Sequence, residues 1–161
     1  KINVNSAAVQ RPDLIDECAA SIGNQNVVLS MDIRRVMPST ELPSGYEIVI
    51  NGGRTPTQID ALAWALEGEK RGAGELVVNS IDADGTQIGY ELVLTAMLST
   101  AVRIPVIASG GAGKPEHLYD VLTAGKADAA LVASMVHYGT YKVSELKHYL
   151  GERGLKMRQS W

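Results

Sequence analysis

Five short apolar runs, each followed sooner or later by a segment of helical period, constrain this chain more than any other feature. They are residues 1–5, 26–31, 75–79, 104–108 and 128–133. Four are continuous rather than alternating, as in Val27-Val28-Leu29 and Leu76-Val77-Val78. Continuous apolar runs suit strands buried on both faces of a parallel sheet. Between and after them, Leu14, Ile15, Cys18, Ala19 and Ile22 fall on one helix face. Ile59, Leu62, Ala63 and Leu66 do the same, as do Leu118, Val121 and Leu122, and then Val143, Leu146 and Leu150. Arg11-Pro12-Asp13 and Lys114-Pro115-Glu116 suit first helical turns, and Gly23, Gly72, Gly125, Gly151 and Gly154 suit helix ends. Strand–helix alternation with right-handed crossovers predicts an α/β fold in a single domain over 1–161. Residues 33–57 break the pattern. Tyr46, Ile48 and Ile50 alternate and Asn51-Gly52-Gly53 is a hairpin turn, so a β-hairpin insert is predicted on the face where the strands end.

Composition narrows the functional classes. The chain has 15 basic and 18 acidic side chains and a net charge of −3, with 45% hydrophobic residues. That composition excludes disorder, and its acidic balance argues against a nucleic-acid footprint. No apolar run approaches the roughly 18 residues of a membrane span, and no signal peptide is read at the start. A single cysteine, Cys18, predicts a reducing, cytoplasmic setting. Cys18 is expected to be a buried, inert thiol. Trp64 is expected to pack on its helix, and Trp161 to lie in a frayed tail.

In parallel α/β folds, chemistry gathers at the carboxyl ends of the strands. Those positions are Asn5-Ser6, Asp32, Asn79-Ser80 with Asp82 to Thr86, Ser109 to Lys114, and Ala133-Ser134. Ser-Gly-Gly-Ala-Gly (109–113) joins an apolar strand to a helix start. Glycine there permits close backbone approach, and free N–H groups attract anions. With Ala133-Ser134 it makes a two-strand phosphate cradle; a tight turn without a ligand is the plainer alternative. It is not a P-loop, since Ala108 stands where the first glycine belongs and Pro115 replaces the Ser/Thr, nor a dinucleotide fingerprint, since the G-x-G-x-x-G spacing fails. Asp32 reads equally as a general acid or base and as a solvated or capping carboxylate. Asp82 and Asp84 resemble the start of a calcium loop without its remaining ligands, so a loop carboxylate accepting backbone N–H groups, or touching a polar substrate, is expected. His117, His137 and His148 form no metal pattern; His117 and His148 are expected to be solvated on outer helices.

Six segments stand out: Ser-Met-Asp-Ile-Arg-Arg-Val (30–36), Ile-Asn-Gly-Gly-Arg-Thr-Pro-Thr (50–57), Lys-Arg-Gly-Ala-Gly-Glu (70–75), Asn-Ser-Ile-Asp-Ala-Asp-Gly-Thr (79–86) with Gly89-Tyr90, Ala-Ser-Gly-Gly-Ala-Gly-Lys (108–114) and Ala-Asp-Ala-Ala-Leu-Val-Ala-Ser (127–134). Together and in register, they resemble the cyclase subunit of imidazole glycerol phosphate synthase, an enzyme of histidine biosynthesis. The resemblance implies a TIM-type β/α barrel. Its family closes an imidazole ring on a bis-phosphorylated ribulosyl substrate (PRFAR) with ammonia from a glutaminase subunit. The products are imidazole glycerol phosphate and AICAR, and no metal or organic cofactor is needed. By resemblance, Asp32 matches a catalytic Asp, and Asn5 and Ser6 one phosphate site. Asp84, Gly85, Ser109, Gly110, Gly111, Ala133 and Ser134 match the other, with Asn79 where Thr is common. Lys1 and Glu75 match members of a charged ring that gates ammonia.

The resemblance also implies what to expect of the whole. A barrel of about 250 residues spends roughly 31 on each unit, so 161 residues make about five. The expectation is a partial barrel of five parallel strand–helix units with a hairpin insert, beginning inside the family's fourth strand. Three N-terminal units, with a second catalytic Asp on the first strand, would then be absent, and the chain alone inactive. Two exposed strand edges predict a homodimer. The alternatives are a non-catalytic, phosphate-binding, self-associating partial barrel and the phosphoribosyl isomerase of the same pathway.

Overall fold

A computed structural model describes residues 1–158; Trp161 lies outside the described residues. The described residues form seven strands: β1 (Ile2–Val4), β2 (Val27–Arg35), β3 (Tyr46–Ile50), β4 (Thr55–Asp60), β5 (Glu75–Ser80), β6 (Val106–Ser109) and β7 (Ala129–Ala130). The helices are α1 (Ser6–Gln10), α2 (Asp13–Ile22), α3 (Ala61–Lys70), α4 (Leu92–Ala101), α5 (Pro115–Thr123), α6 (Ser134–His137) and α7 (Val143–Glu152). No helix among the described residues is long and apolar enough to cross a membrane.

Five strands run parallel in the order β1-β2-β5-β6-β7, an open arc of a β/α barrel. β2 organises it. Its amino half pairs β1 and its carboxyl half pairs β3 antiparallel on that same edge, while β5 lies along the other. The β3–β4 hairpin thus continues the sheet beyond the end of β1. All five residues of β3 are buried, not every second one, because helix and sheet cover both of its faces. The insert also differs from its expected bounds of 33–57. β2 runs on through Arg35, and β4 runs to Asp60, where the Asp60 carboxylate caps α3 through Leu62 and Ala63 N–H (3.0 and 3.1 Å).

The core lies in two clusters. One packs Leu29, Met31, Leu76 and Val78 against Ile15, Trp64, Ala65, Leu94 and Leu98. The other packs Ala108 against Leu118, Val121, Met135, Leu146 and Leu150. Trp64 is buried as expected. Cys18 is only half-buried, packed beside the first cluster. The expected helix-end glycines divide. Gly23, Gly72 and Gly154 take positive φ, but next to Gly125 it is Lys126 that does so (56°), and Gly151 lies inside α7. The fifth run, expected over 128–133, yields only a two-residue strand at the edge of the arc. Its start is fastened by Asp128, whose carboxylate accepts Val106 N–H at 2.8 Å.

Candidate functional site

Register places the polar strand ends side by side. Asp32 on β2 is opposite Asn79 on β5, and Asn79 is opposite Ser109 on β6. Asp32 is half-buried and held from both sides. Its Oδ1 accepts from Asn79 Nδ2 at 2.9 Å, and its Oδ2 accepts from Asn5 Nδ2 at 3.1 Å. These two donors orient the carboxylate. Asn5 Oδ1 is itself buried without a partner. The solvated-loop alternative for Asp32 therefore gives way to a fixed carboxylate at the centre of the strand-end face.

Ser6, beside it, is the first residue of α1, and its hydroxyl accepts Asn51 N–H at 3.0 Å. The hairpin tip is thereby tied over this end of the sheet. Arg54 Nε donates to Asn51 O at 2.8 Å and closes the turn. The sequence marks Asn51 only as a turn residue and Arg54 only as part of the 50–57 segment, because nothing local showed what the hairpin would cover.

The second group of expected residues converges. Asp84, Gly85, Ser109, Gly110, Gly111, Ala133 and Ser134 line one cleft of about 140 Å³. Gln87, Ala112 and Leu131 complete it. The hydroxyls of Ser109 and Ser134 and the Gln87 amide are polar groups available to an anion, with glycine backbone between them. The glycines do more than admit a ligand. A Cβ on Gly110 would stand 2.7 Å from Ser80 O, and one on Gly111 2.0 Å from Gly89 O, both at positive φ. They let the loop after β6 lie directly on the loop after β5.

Other contacts fix these loops. Asp82 accepts Arg35 N–H at 2.7 Å, the backbone-bonded carboxylate expected of that loop. Tyr90, buried, donates its hydroxyl to Leu131 O at 2.8 Å; burial pushes this phenol above its ordinary range and keeps it a donor. His117 corrects an expectation. It is buried rather than solvated, because the face of α5 that carries it turns toward the loops. His148 lies exposed beside Glu152, as expected of an outer helix. Among the described residues, no three His, Cys, Asp or Glu side chains group as metal ligands would.

At the opposite end of the strands, Lys1 Nζ pairs with the Glu75 carboxylate. The register explains it: Ile2 is opposite Val27, and Val28 is opposite Glu75.

Residues 1–142 match the family model described as histidine biosynthesis protein. The imidazole glycerol phosphate synthase subunit HisF of Syntrophobacter fumaroxidans is 63% identical over 161 residues, which is 100% of this chain and 62% of that relative. The same subunit from Desulfatibacillum aliphaticivorans is 63% identical over 98% of this chain and 61% of its own length. That of Nitratidesulfovibrio vulgaris is 59% identical over 100% of this chain and 62% of its own. The chain thus spans less than two thirds of these relatives.

Proposed function

We propose, on the premise that the chain belongs to the histidine biosynthesis protein family, that its strand-end face is the substrate face of an imidazole glycerol phosphate synthase cyclase. The observation that carries the proposal is the row Asp32–Asn79–Ser109, which sets a held carboxylate beside an anion-sized cleft. An elongated bis-phosphate such as PRFAR would place one phosphate in that cleft and the other at Asn5 and Ser6. Ser6 accepts from Asn51, which leaves its hydroxyl proton free to donate. Holding both ends fixes the reacting centre over Asp32. Asp32 then moves protons during ammonia addition and ring closure, giving imidazole glycerol phosphate and AICAR. Asp84 repels a phosphate, so its carboxylate suits a substrate hydroxyl at the rim of the cleft.

Ammonia would come from a glutaminase partner docked at the other end of the strands. Lys1 and Glu75 stand there as an ion pair. From Glu75 to Asn79 along β5 is about 13 Å at strand rise, the distance ammonia has to cover. A cytoplasmic setting follows from the proposed pathway.

Ring closure needs a general acid and a general base, and the centre of this face carries one held carboxylate. The 161 residues alone are therefore proposed to bind and not to turn over. Calorimetry with PRFAR, and product formation from PRFAR plus ammonium salt, test both halves. Binding without turnover is expected, with turnover only in a longer family polypeptide that supplies an acid facing Asp32, and lost there in D32N. Absence of binding would remove the substrate-face reading. Turnover by the 161 residues would remove the need for a second acid.

A further inference from the structure

His117 is 9% exposed on α5, and nothing in the proposed reaction uses it. Its Nδ1 accepts Gly113 N–H at 3.2 Å. An Nδ1 that accepts this bond carries no proton itself. The ring also lies against Gly89: a Cβ there would stand 3.7 Å from His117 Cδ2. Gly89 in turn donates its N–H to Gly111 O at 2.8 Å. Gly113 belongs to the loop after β6 and Gly89 to the loop after β5, the two loops whose residues wall the cleft. One buried side chain thus touches both walls from behind. Asp120 and Tyr90 share with it a small cavity of about 100 Å³.

We infer that His117 is a positioning residue for the anion cleft. Its Nδ1 holds the Gly113 backbone and its ring backs Gly89, so that the Gly110–Gly111 backbone stays at the distance an anion needs. Without the acceptor, the half-buried Gly113 N–H loses its partner, and the loop shifts to find another. This rests on the reading of the cleft as a phosphate site, and the two are separable by experiment. Asparagine at 117 places an oxygen near the Nδ1 position, whereas leucine fills volume without accepting.

The ¹⁵N-labelled 161-residue chain and its H117N and H117L variants are titrated with inorganic phosphate, and amide hydrogen exchange is followed at Gly113 and Gly89. Phosphate is expected to shift the Gly110 and Gly111 resonances of the parent chain. H117N should keep the affinity within about threefold, and H117L should lose about tenfold or more, with Gly113 exchange accelerated by a similar factor. Equal phosphate affinity in H117L and the parent overturns the inference and leaves the cleft standing. Failure of the parent to bind phosphate overturns the cleft reading. In that case Gly113 exchange still decides whether His117 holds the loop, and unchanged exchange in H117L shows that it does not.

Discussion

Gly111 illustrates how a single position serves two purposes. Its φ of +101° lies where only glycine is comfortable, and its missing Cβ makes room for the Gly89 carbonyl. Alanine there is strained in its backbone and collides with a neighbouring loop that is itself backed by His117. G111A is expected to lower stability by about 1–3 kcal/mol, measured by urea unfolding, and to abolish phosphate-induced shifts in the cleft. Parent-like stability with parent-like shifts would mean that the two loops are free to separate. The Ser-Gly-Gly-Ala-Gly segment reads in sequence as a candidate phosphate loop, because its glycines join an apolar strand to a helix start. Its packing role was not legible, because the partner Gly89 lies 22 positions earlier. His117 was concealed as well, because Gly89, which its ring backs, lies 28 positions earlier and its neighbours in sequence gave it an outer-helix look.

Among the elements, the hairpin depends most on charged groups placed inside. Glu47 on β3 is 1% exposed and accepts from Arg34 (2.7 Å) and from Thr57 and Gln58 N–H (3.1 and 2.9 Å). Burial pushes its carboxyl upward, and these hydrogen bonds outweigh burial and hold it below the usual range. Asp60, at the end of β4, behaves alike. Burial raises it, while Ser44 and the Ala63 and Leu62 N–H groups lower it further than burial lifts it. A carboxyl lowered in the folded state contributes fully above its unfolded value, near about 4, and loses that contribution as pH falls through the folded value. D60A is expected to cost about 1–2 kcal/mol at pH 7, by urea unfolding. The gap from the parent should narrow at about pH 3, below the unfolded value. A gap of equal size at both pH values would show that the charge plays no part. The turn at Asn51-Gly52-Gly53 announced this hairpin, but the ion pair of buried Glu47 with half-exposed Arg34 crosses between β2 and β3 and left no local pattern.

At the scale of the molecule, the arc has an outer edge at β7 and another at β1, each unpaired among the described residues. Ile2 on β1 is 38% exposed. Beside β7, an apolar cavity of about 230 Å³ opens between α5 and α7, with Leu118, Leu122, Val132 and Leu146 on its walls. Free backbone edges and uncovered apolar surface favour pairing with a second copy. Light scattering at micromolar concentration is expected to give a dimer, and I2K, which puts a charge on the β1 edge, to shift it toward monomer. A stable monomeric parent chain would overturn this.

Strand–helix order, the parallel character of the sheet, the hairpin and the strand-end location of the polar residues were all legible in the sequence. Each rests on local periodicity or on turn chemistry within a few residues. The grasp on Asp32 by Asn5 and Asn79 and the burial of His117 were not. They depend on register between strands far apart in the chain and on which helix face turns inward. Those are settled by packing of the whole sheet, where a shift of one residue would turn every side chain to the opposite face.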